Sequence, residues 1–355
     1  MTTVRDHPAD PGFPAGPAGT RAGAKGEWEF TEAARSLAPI IAGDFALREA
    51  CSPAPGVSYW QQEPTPKQHG FLAGPWRERL YGGAAGGGKS SALLMGALQY
   101  VCVPGYQALL MRRTFPQLAD SGGLIERAKA WLMPLVSEGH VTWHEARHRF
   151  VFPSGAGLWF NFANRNDDRF KFQSSEYQTV GFDELTHWPD PIVYTYVGFS
   201  RVRGPAVPCA SCGEPLVKRS GAWVHEEGDR ADQACGNPKA AVSLPACPTC
   251  GFTLADVPLR TMAGTNPGGR GHGWTRRRFG LRGLGDREPN HKARYPDRAF
   301  VRATMRDNPH LNVRAYRQSL AELEVVDQRR LELGDWQITE GGRMFDRSWF
   351  VGDAA

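Results

Sequence analysis

Eight consecutive residues, Gly83-Ala84-Ala85-Gly86-Gly87-Gly88-Lys89-Ser90, fit the pattern G-x-x-x-x-G-K-[ST] at every specified position. That pattern describes a device for gripping phosphate. Its glycines let successive backbone N–H groups turn inward as an anion nest, Lys89 reaches the β- and γ-phosphates, and Ser90 offers a hydroxyl to Mg²⁺. Gly83, Gly86, Gly87, Gly88, Lys89, Ser90 and the adjacent Ser91 are the expected nucleotide-binding residues. Further along, the apolar run Thr179-Val180-Gly181-Phe182 delivers Asp183-Glu184 at its C-terminal end. There Asp183 would complete the Mg²⁺ shell with Ser90, and Glu184 would orient and polarise the attacking water as general base. Glutamate beside the metal-binding aspartate favours ATP hydrolysis over phosphoryl transfer to a small molecule.

A second chemistry is written in cysteine. The chain holds seven cysteines, of which Cys209/Cys212 and Cys247/Cys250 form two CxxCG knuckles, while Cys51, Cys102 and Cys235 stand apart. Paired CxxC spacing in a chain without a secretory signal argues for metal rather than disulfides. Thiolates so spaced close four tetrahedral corners around Zn²⁺, and each Gly permits the tight turn beneath the metal. The expectation is a structural Cys₄ zinc ribbon inserted between Arg203 and Val257, with Cys235 a spare thiol. His187 and His272 are read as hydrogen-bonding residues rather than ligands.

These groups need elements to hold them. Residues 31–50 carry a helical apolar pattern, and Thr65-Pro66-Lys67-Gln68 opens a helix through Phe71 and Trp76. Arg79-Leu80-Tyr81 reads as a strand feeding the Gly-rich turn, with a helix over 90–101 behind it. Strands are expected at 107–112, 141–143, 149–152, 158–162, 179–182 and 257–263. Helices are expected at 122–131 and across 311–333, ending at Gly334. Strand and helix alternate around an antiparallel patch, which predicts an α/β fold with a mostly parallel central sheet flanked by helices.

Composition narrows the class. At 355 residues, 41% hydrophobic, the chain can build one large core or two modest ones. No apolar run approaches a bilayer span, and the Pro-, Gly- and Ala-rich N-terminus has no secretory h-region. It reads as a disordered leader. A soluble protein of the cytoplasm follows, with no membrane role. The net charge of +5 is mild, but basic residues crowd between Arg260 and Arg306, among them Arg270, Arg276, Arg277, Arg278, Arg298 and Arg302. They form either a solvated basic face or a surface for a phosphate backbone.

Taken jointly, the segments resemble the large terminase subunit of tailed bacteriophages, a DNA-packaging ATPase of the P-loop class. Gln68 stands where that family places an adenine-contacting Gln. Leu110-Met111-Arg112-Arg113-Thr114-Phe115 resembles the strand after the loop helix, and Phe170-Lys171-Phe172-Gln173 with Glu176-Tyr177 the approach to the acidic pair. Ser200-Arg201-Val202-Arg203 follows that pair. Thr265-Asn266-Pro267-Gly268-Gly269, with Trp274 and Phe279, looks like the motif that couples hydrolysis to movement. Asp307-Asn308-Pro309 and Gly334-Asp335-Trp336 resemble the lid, and residues 341–345 the linker leaving it.

The resemblance implies an ATP-driven motor that pushes double-stranded DNA into a procapsid. It implies a homo-oligomeric ring on a portal protein, a small terminase subunit as partner, and Thr265 and Asn266 as sensors of the γ-phosphate. The expected division is a leader and N-terminal helix at 1–58, an ATPase core at 59–204 and the zinc ribbon at 205–255. The last core strand, coupling motif and lid would fill 256–345, and a linker 346–355. Two departures matter. Ala84 and Ala85 stand where many members carry a loop Arg, so the finger must come from elsewhere; Arg169 is the first candidate, ahead of Arg112 and Arg201, acting from a neighbouring subunit. The residues after Phe345 are also too few for the family's nuclease domain, so this chain is expected to be the motor half, without DNA cleavage of its own. Two other readings share these residues: a helicase-like or repair ATPase, and a zinc-ribbon nucleic-acid-binding module with weak ATPase.

Overall fold

Short β-branched and aromatic runs alternating with amphipathic helices fold here into one eight-stranded sheet covered on both faces. The computed structural model describes residues 57–205, 207–209, 211–219, 222–225, 244–281 and 297–337, and two short antiparallel strands, β1 (Thr20–Ala22) and β2 (Trp28–Phe30). Apart from β1 and β2 the expected leader lies outside the described residues, as do the helix at 31–50, the linker after Gly341, Cys51 and Cys235.

The sheet strands are β3 (Glu78–Gly83), β4 (Gln107–Arg112), β5 (Thr142–His144), β6 (Arg149–Val151), β7 (Gly157–Phe162), β8 (Thr179–Asp183), β12 (Arg260–Thr265) and β13 (Arg298–Ala303), in the order β13-β3-β12-β8-β4-β7-β6-β5. From β13 to β7 every pairing is parallel, and β7-β6-β5 closes one side as an antiparallel meander. The mostly parallel α/β architecture expected from the sequence is borne out. Three details differ. The expected antiparallel patch is joined to the parallel sheet through β7, which pairs with β4. The last core strand is β13, hidden in sequence by its alternation of Arg with apolar residues. The helical stretch at 311–333 is two helices, broken at residues 322–324.

Local chemistry sets the elements. Helix α1 (Pro66–Ala73) opens on a capping box: Thr65 Oγ1 accepts from Gln68 N–H and Gln68 Oε1 accepts from Thr65 N–H, with Pro66 at the first helical position. Helix α2 (Lys89–Leu98) is apolar on nearly all sides and accordingly buried. Helices α3 (Phe115–Ala119) and α4 (Leu124–Ser137) cover the same face. Along β4, Ala108 and Leu110 point into the core under α2 and α4, while Leu109 and Met111 enter a second core with Phe182, Trp188, Tyr194 and Trp274. Each large side chain so buried contributes about 1.5–3 kcal/mol. The chain continues through α5 (Ile192–Thr195), α6 (His272–Phe279), α7 (Val313–Ala321) and α8 (Val325–Leu333).

An insertion leaves and re-enters at one point. Gln178 Nε2 donates to the carbonyl of Arg203 (2.9 Å), and the Gln178 carbonyl accepts from Arg260 N–H (2.9 Å). Between those residues lies a separate antiparallel sheet of β9 (Val207–Pro208), β10 (Pro215–Arg219) and β11 (Ala222–His225). Gln178 precedes β8, so the insertion joins at the opposite end of the sheet from Asp183. Among the described residues no helix is long and apolar enough to cross a membrane.

Candidate nucleotide site

Register alone brings the chemistry together. In the parallel sheet Thr265 pairs with Gly82 and Gly264 with Asp183, so the C-terminal ends of β3, β12 and β8 lie level. The Gly-rich loop leaves β3 there and α2 begins at Lys89. Gly88 caps that helix at φ +79°, the left-handed region that glycine enters without strain, and a Cβ on it would meet Gln68 Nε2 at 2.8 Å. Gly82, outside the expected set, has φ +129°, and a Cβ there would come within 2.4 Å of the Thr265 carbonyl.

Side chains hold the loop from behind. Tyr81 OH donates to the Gly87 carbonyl (2.9 Å), Gln68 Nε2 to the Gly88 carbonyl (3.0 Å) and Asn308 Nδ2 to the Gly86 carbonyl (2.8 Å). With their carbonyls drawn outward, the N–H groups of the turn are free to face inward. Two of the loop's N–H groups are engaged elsewhere: Ala84 N–H donates to Ala303 (3.1 Å) and Ala85 N–H to the Leu331 carbonyl of α8 (2.7 Å). Strand β13 and helix α8 of the lid thus both hold the loop. Gln68, buried and engaged at both ends of its amide, lies at the loop; Tyr81 and Asn308 had no motif signal as loop braces.

The charged groups converge in front. Lys89 Nζ donates to Asn266 Oδ1 (2.8 Å) and lies 3.9 Å from Glu184 Oε1. Ser90 Oγ donates to Asp183 Oδ2 (3.5 Å). Arg112 Nε stands 3.1 Å from Asp183 Oδ2, and its Nη2 3.9 Å from Glu184 Oε1. Asp183 is 2% exposed, and its Oδ1 is buried without a hydrogen-bond partner. Burial pushes this carboxyl up to about 6, Arg112 opposing and Glu184 reinforcing the rise. An orphaned carboxylate oxygen beside a Ser hydroxyl is a donor set that fits Mg²⁺.

Glu184 adopts φ 52°, ψ 59°, and with His148 it is one of two non-glycine residues at positive φ among the described residues. Such backbone costs on the order of 1–3 kcal/mol and persists where surrounding structure imposes it. Here Thr186 imposes it: its N–H donates to Thr265 Oγ1 (3.2 Å), the two hydroxyls lie 2.8 Å apart, and Thr186 Oγ1 donates to the Asn266 carbonyl (3.2 Å). The acidic pair and the Thr265-Asn266 segment are therefore one hydrogen-bonded unit. Beyond it, His272 Nδ1 accepts from Gly268 N–H (2.9 Å), its Nε2 faces the Trp336 carbonyl (3.2 Å), and its ring stacks on Trp336. The hydrogen-bonding role expected of His272 is what the geometry displays. His187 is half-buried, its pKa lowered chiefly by burial.

Arg169 lies elsewhere. It donates to the Asn166 carbonyl (2.7 Å), pairs with Asp167 (3.3 Å) and covers the Phe170 ring, touching none of Lys89, Asp183 and Glu184. Of the three arginines considered, Arg112 is the one at its own chain's site; Arg201 donates to the Gln173 carbonyl. The basic segment is partly structural: Arg278 and Arg298 both pair with buried Glu78, which also accepts from Tyr194 OH (2.8 Å).

The cysteines depart from expectation. The four knuckle thiols do not share one point. Cys209 and Cys212 gather with His225, and Cys247 and Cys250 gather with Cys102 of the core, Cys250 Sγ lying 3.7 Å from Cys102 Sγ. The single Cys₄ set is thus corrected: the first knuckle is tied into the small sheet of the insertion, the second into the core cluster through Phe252 and Leu254.

Residues 80–214 match the family described as terminase large subunit, T4likevirus-type, N-terminal. That span runs from β3 through the acidic pair to the first knuckle, and it bears out the resemblance drawn from the sequence. No curated protein matches the chain. Among solved structures, the large terminase of the thermophilic bacteriophage D6E is 15% identical with a TM-score of 0.46, over 81% of this chain and 57% of that one. The ATPase domain of the Thermus phage P74-26 large terminase is 13% identical at 0.46, over 78% and 96%. The large terminase of bacteriophage HK97 is 12% identical at 0.46, over 83% and 55%. The chain spans little more than half the length of the first and last of these.

Proposed function

We propose that the chain is the ATP-hydrolysing motor part of a phage terminase, driving double-stranded DNA into a procapsid from a homo-oligomeric ring on a portal, with a small terminase subunit as partner and the host cytoplasm as its place of work. The observation that carries this reading is the convergence of Lys89, Ser90, Asp183, Glu184 and Asn266 on one point in front of a braced Gly-rich loop. The match of residues 80–214 to the terminase large subunit supports the packaging role.

The loop N–H groups from Gly86 to Ser90 cradle the phosphates and Lys89 neutralises the terminal pair. Ser90 and Asp183 would hold Mg²⁺, which would supply charge neutralisation to the phosphates. Gln68 braces Gly88 at the edge of the base pocket. Glu184, held in its left-handed backbone, aims a carboxylate at the attacking water and takes its proton. Asn266, hydrogen-bonded to Lys89, registers loss of the terminal phosphate, and the Thr186–Thr265 unit carries the change through Gly268 and His272 to Trp336 and the lid. Arg169 is the finger offered to a neighbouring subunit, and Arg112 sets the charge balance of the acidic pair.

The test is steady-state ATP hydrolysis across protein concentration, with and without double-stranded DNA, for the wild type and Glu184→Gln. Activity that climbs with concentration and collapses in the variant is expected. Activity already maximal in dilute monomer overturns the cross-subunit finger. Absence of hydrolysis in wild type with DNA at every concentration overturns the motor reading.

A further inference from the structure

The two CxxC knuckles are built alike and yet meet different partners. In each, the N–H of the first Cys donates to the carbonyl five residues on (Cys209 to Glu214 and Cys247 to Phe252, both 2.8 Å). The N–H of the following Gly donates back to the first Cys carbonyl (Gly213 and Gly251, both 2.9 Å). Gly213 and Gly251 sit at φ +76° and +74°, which keeps the turn tight enough to aim both thiols to one side. Ser211 N–H also points at Cys209 Sγ (3.4 Å), a contact that favours a thiolate.

We propose that Cys209, Cys212 and His225 bind one Zn²⁺ at a site of their own, from which the second knuckle is excluded. His225 ends β11, and the antiparallel register pairs it with Leu216, two residues after Glu214 of the knuckle turn. Strand pairing therefore delivers the imidazole to the thiols. Cys209 and His225 are buried, 1% and 4% exposed. The three ligand atoms lie within 4.8 Å of one another, and Cys212 Sγ is 3.4 Å from His225 Nε2. A tetrahedral zinc with Zn–S of about 2.3 Å and Zn–N of about 2.0 Å has an S···N edge of about 3.5 Å, so the spacing is that of two occupied corners. The second knuckle gathers elsewhere, Cys247 and Cys250 lying together with Cys102.

The placement explains what the ion does. A three-stranded sheet this small buries too little apolar surface to hold itself, and a metal clip supplies what a core would. Binding displaces the two thiol protons and leaves the imidazole neutral, so the site forms as the hairpin pairs and its stability is tied to folding of the insertion.

Zinc K-edge absorption fine structure on the full chain, purified without chelator, tests the assignment. The expected shell contains nitrogen at about 2.0 Å beside sulfur at about 2.3 Å. His225→Ala is expected to lose that nitrogen and one zinc per chain, whereas Cys247→Ser with Cys250→Ser keeps a zinc with the nitrogen-containing shell. An all-sulfur shell in the wild type, no zinc in the wild type, or complete zinc loss in a folded double variant would each overturn the proposal. If a variant fails to fold, the nitrogen in the wild-type shell decides alone.

Discussion

Arg112 Nε lies 3.1 Å from Asp183 Oδ2, a guanidinium set against the one buried carboxylate among the described residues that has an oxygen left over. This pair makes the site's energetics a competition. The carboxylate proposed to receive a divalent cation is held by a cation of the chain.

Removing that cation gives the first prediction. Arg112→Ala leaves Asp183 buried beside Glu184 with only Lys89 and the more distant Arg127 opposing its charge. Without magnesium the variant is expected to lose about 2 kcal/mol in urea denaturation, discounted from a fully buried pair because Arg112 is 19% exposed. Mg-ADP should return most of that loss. An equal loss with and without Mg-ADP would assign Arg112 a purely structural role.

The acidity of Asp183 gives the second. Its folded pKa of about 6 exceeds that of the unfolded chain, so between roughly pH 4 and 6 the native state holds the extra proton. Stability in EDTA therefore falls as pH rises through that window and levels off above it, a total on the order of 3 kcal/mol. Asp183→Asn keeps the shape and removes the charge. At pH 7.5 it should unfold at higher urea than the wild type, the gap should close near pH 4, and hydrolysis should vanish. A gap independent of pH would contradict the assignment.

If Glu184 is the general base proposed above, Glu184→Gln is expected to lower kcat by about 10²–10⁴-fold with nucleotide affinity little changed. Single-turnover hydrolysis beside equilibrium nucleotide binding separates the two. A parallel loss of binding would mean that Glu184 serves the metal rather than the water.

The lid contact is testable through Asn308→Ala. Losing the bond to the Gly86 carbonyl should speed amide hydrogen exchange around residues 86–90 and raise KM several-fold, as expected for a hydrogen bond of about 1 kcal/mol. Unaltered exchange at the loop would show that the lid is held by α8 alone.

Glu78 anchors part of the basic segment. Glu78→Gln leaves Arg278 and Arg298 without their buried carboxylate, and a loss of about 3 kcal/mol in urea midpoint analysis is expected. A change within error would mean that the two pairs with Glu78 add nothing to stability.

Legibility in the sequence followed the range of the interactions. The Gly-rich loop and the acidic pair are local patterns with obligatory backbone consequences, and both lie where their residue types require. Strand β13 was not legible because Arg298 and Arg302 interrupt its apolar residues, and their partners, Glu78 and the Leu333 carbonyl, are distant in the chain. Spacing marked the knuckles as candidates for metal-type chemistry, but it could not bring His225 to Cys209 and Cys212, since that proximity comes from β10–β11 register. The left-handed backbone of Glu184 had no signal at all; it follows from Thr186 meeting Thr265 across two strands.

The junction at Gln178 bears on ancestry. One side chain and its own backbone clasp both the departure and the return of the insertion, at the end of the sheet remote from Asp183. A core strand pair thus meets across the gap as if nothing lay between. Such an arrangement is a graft point, where a lineage can acquire, exchange or discard an appendage in one genetic step while the engine beneath keeps running.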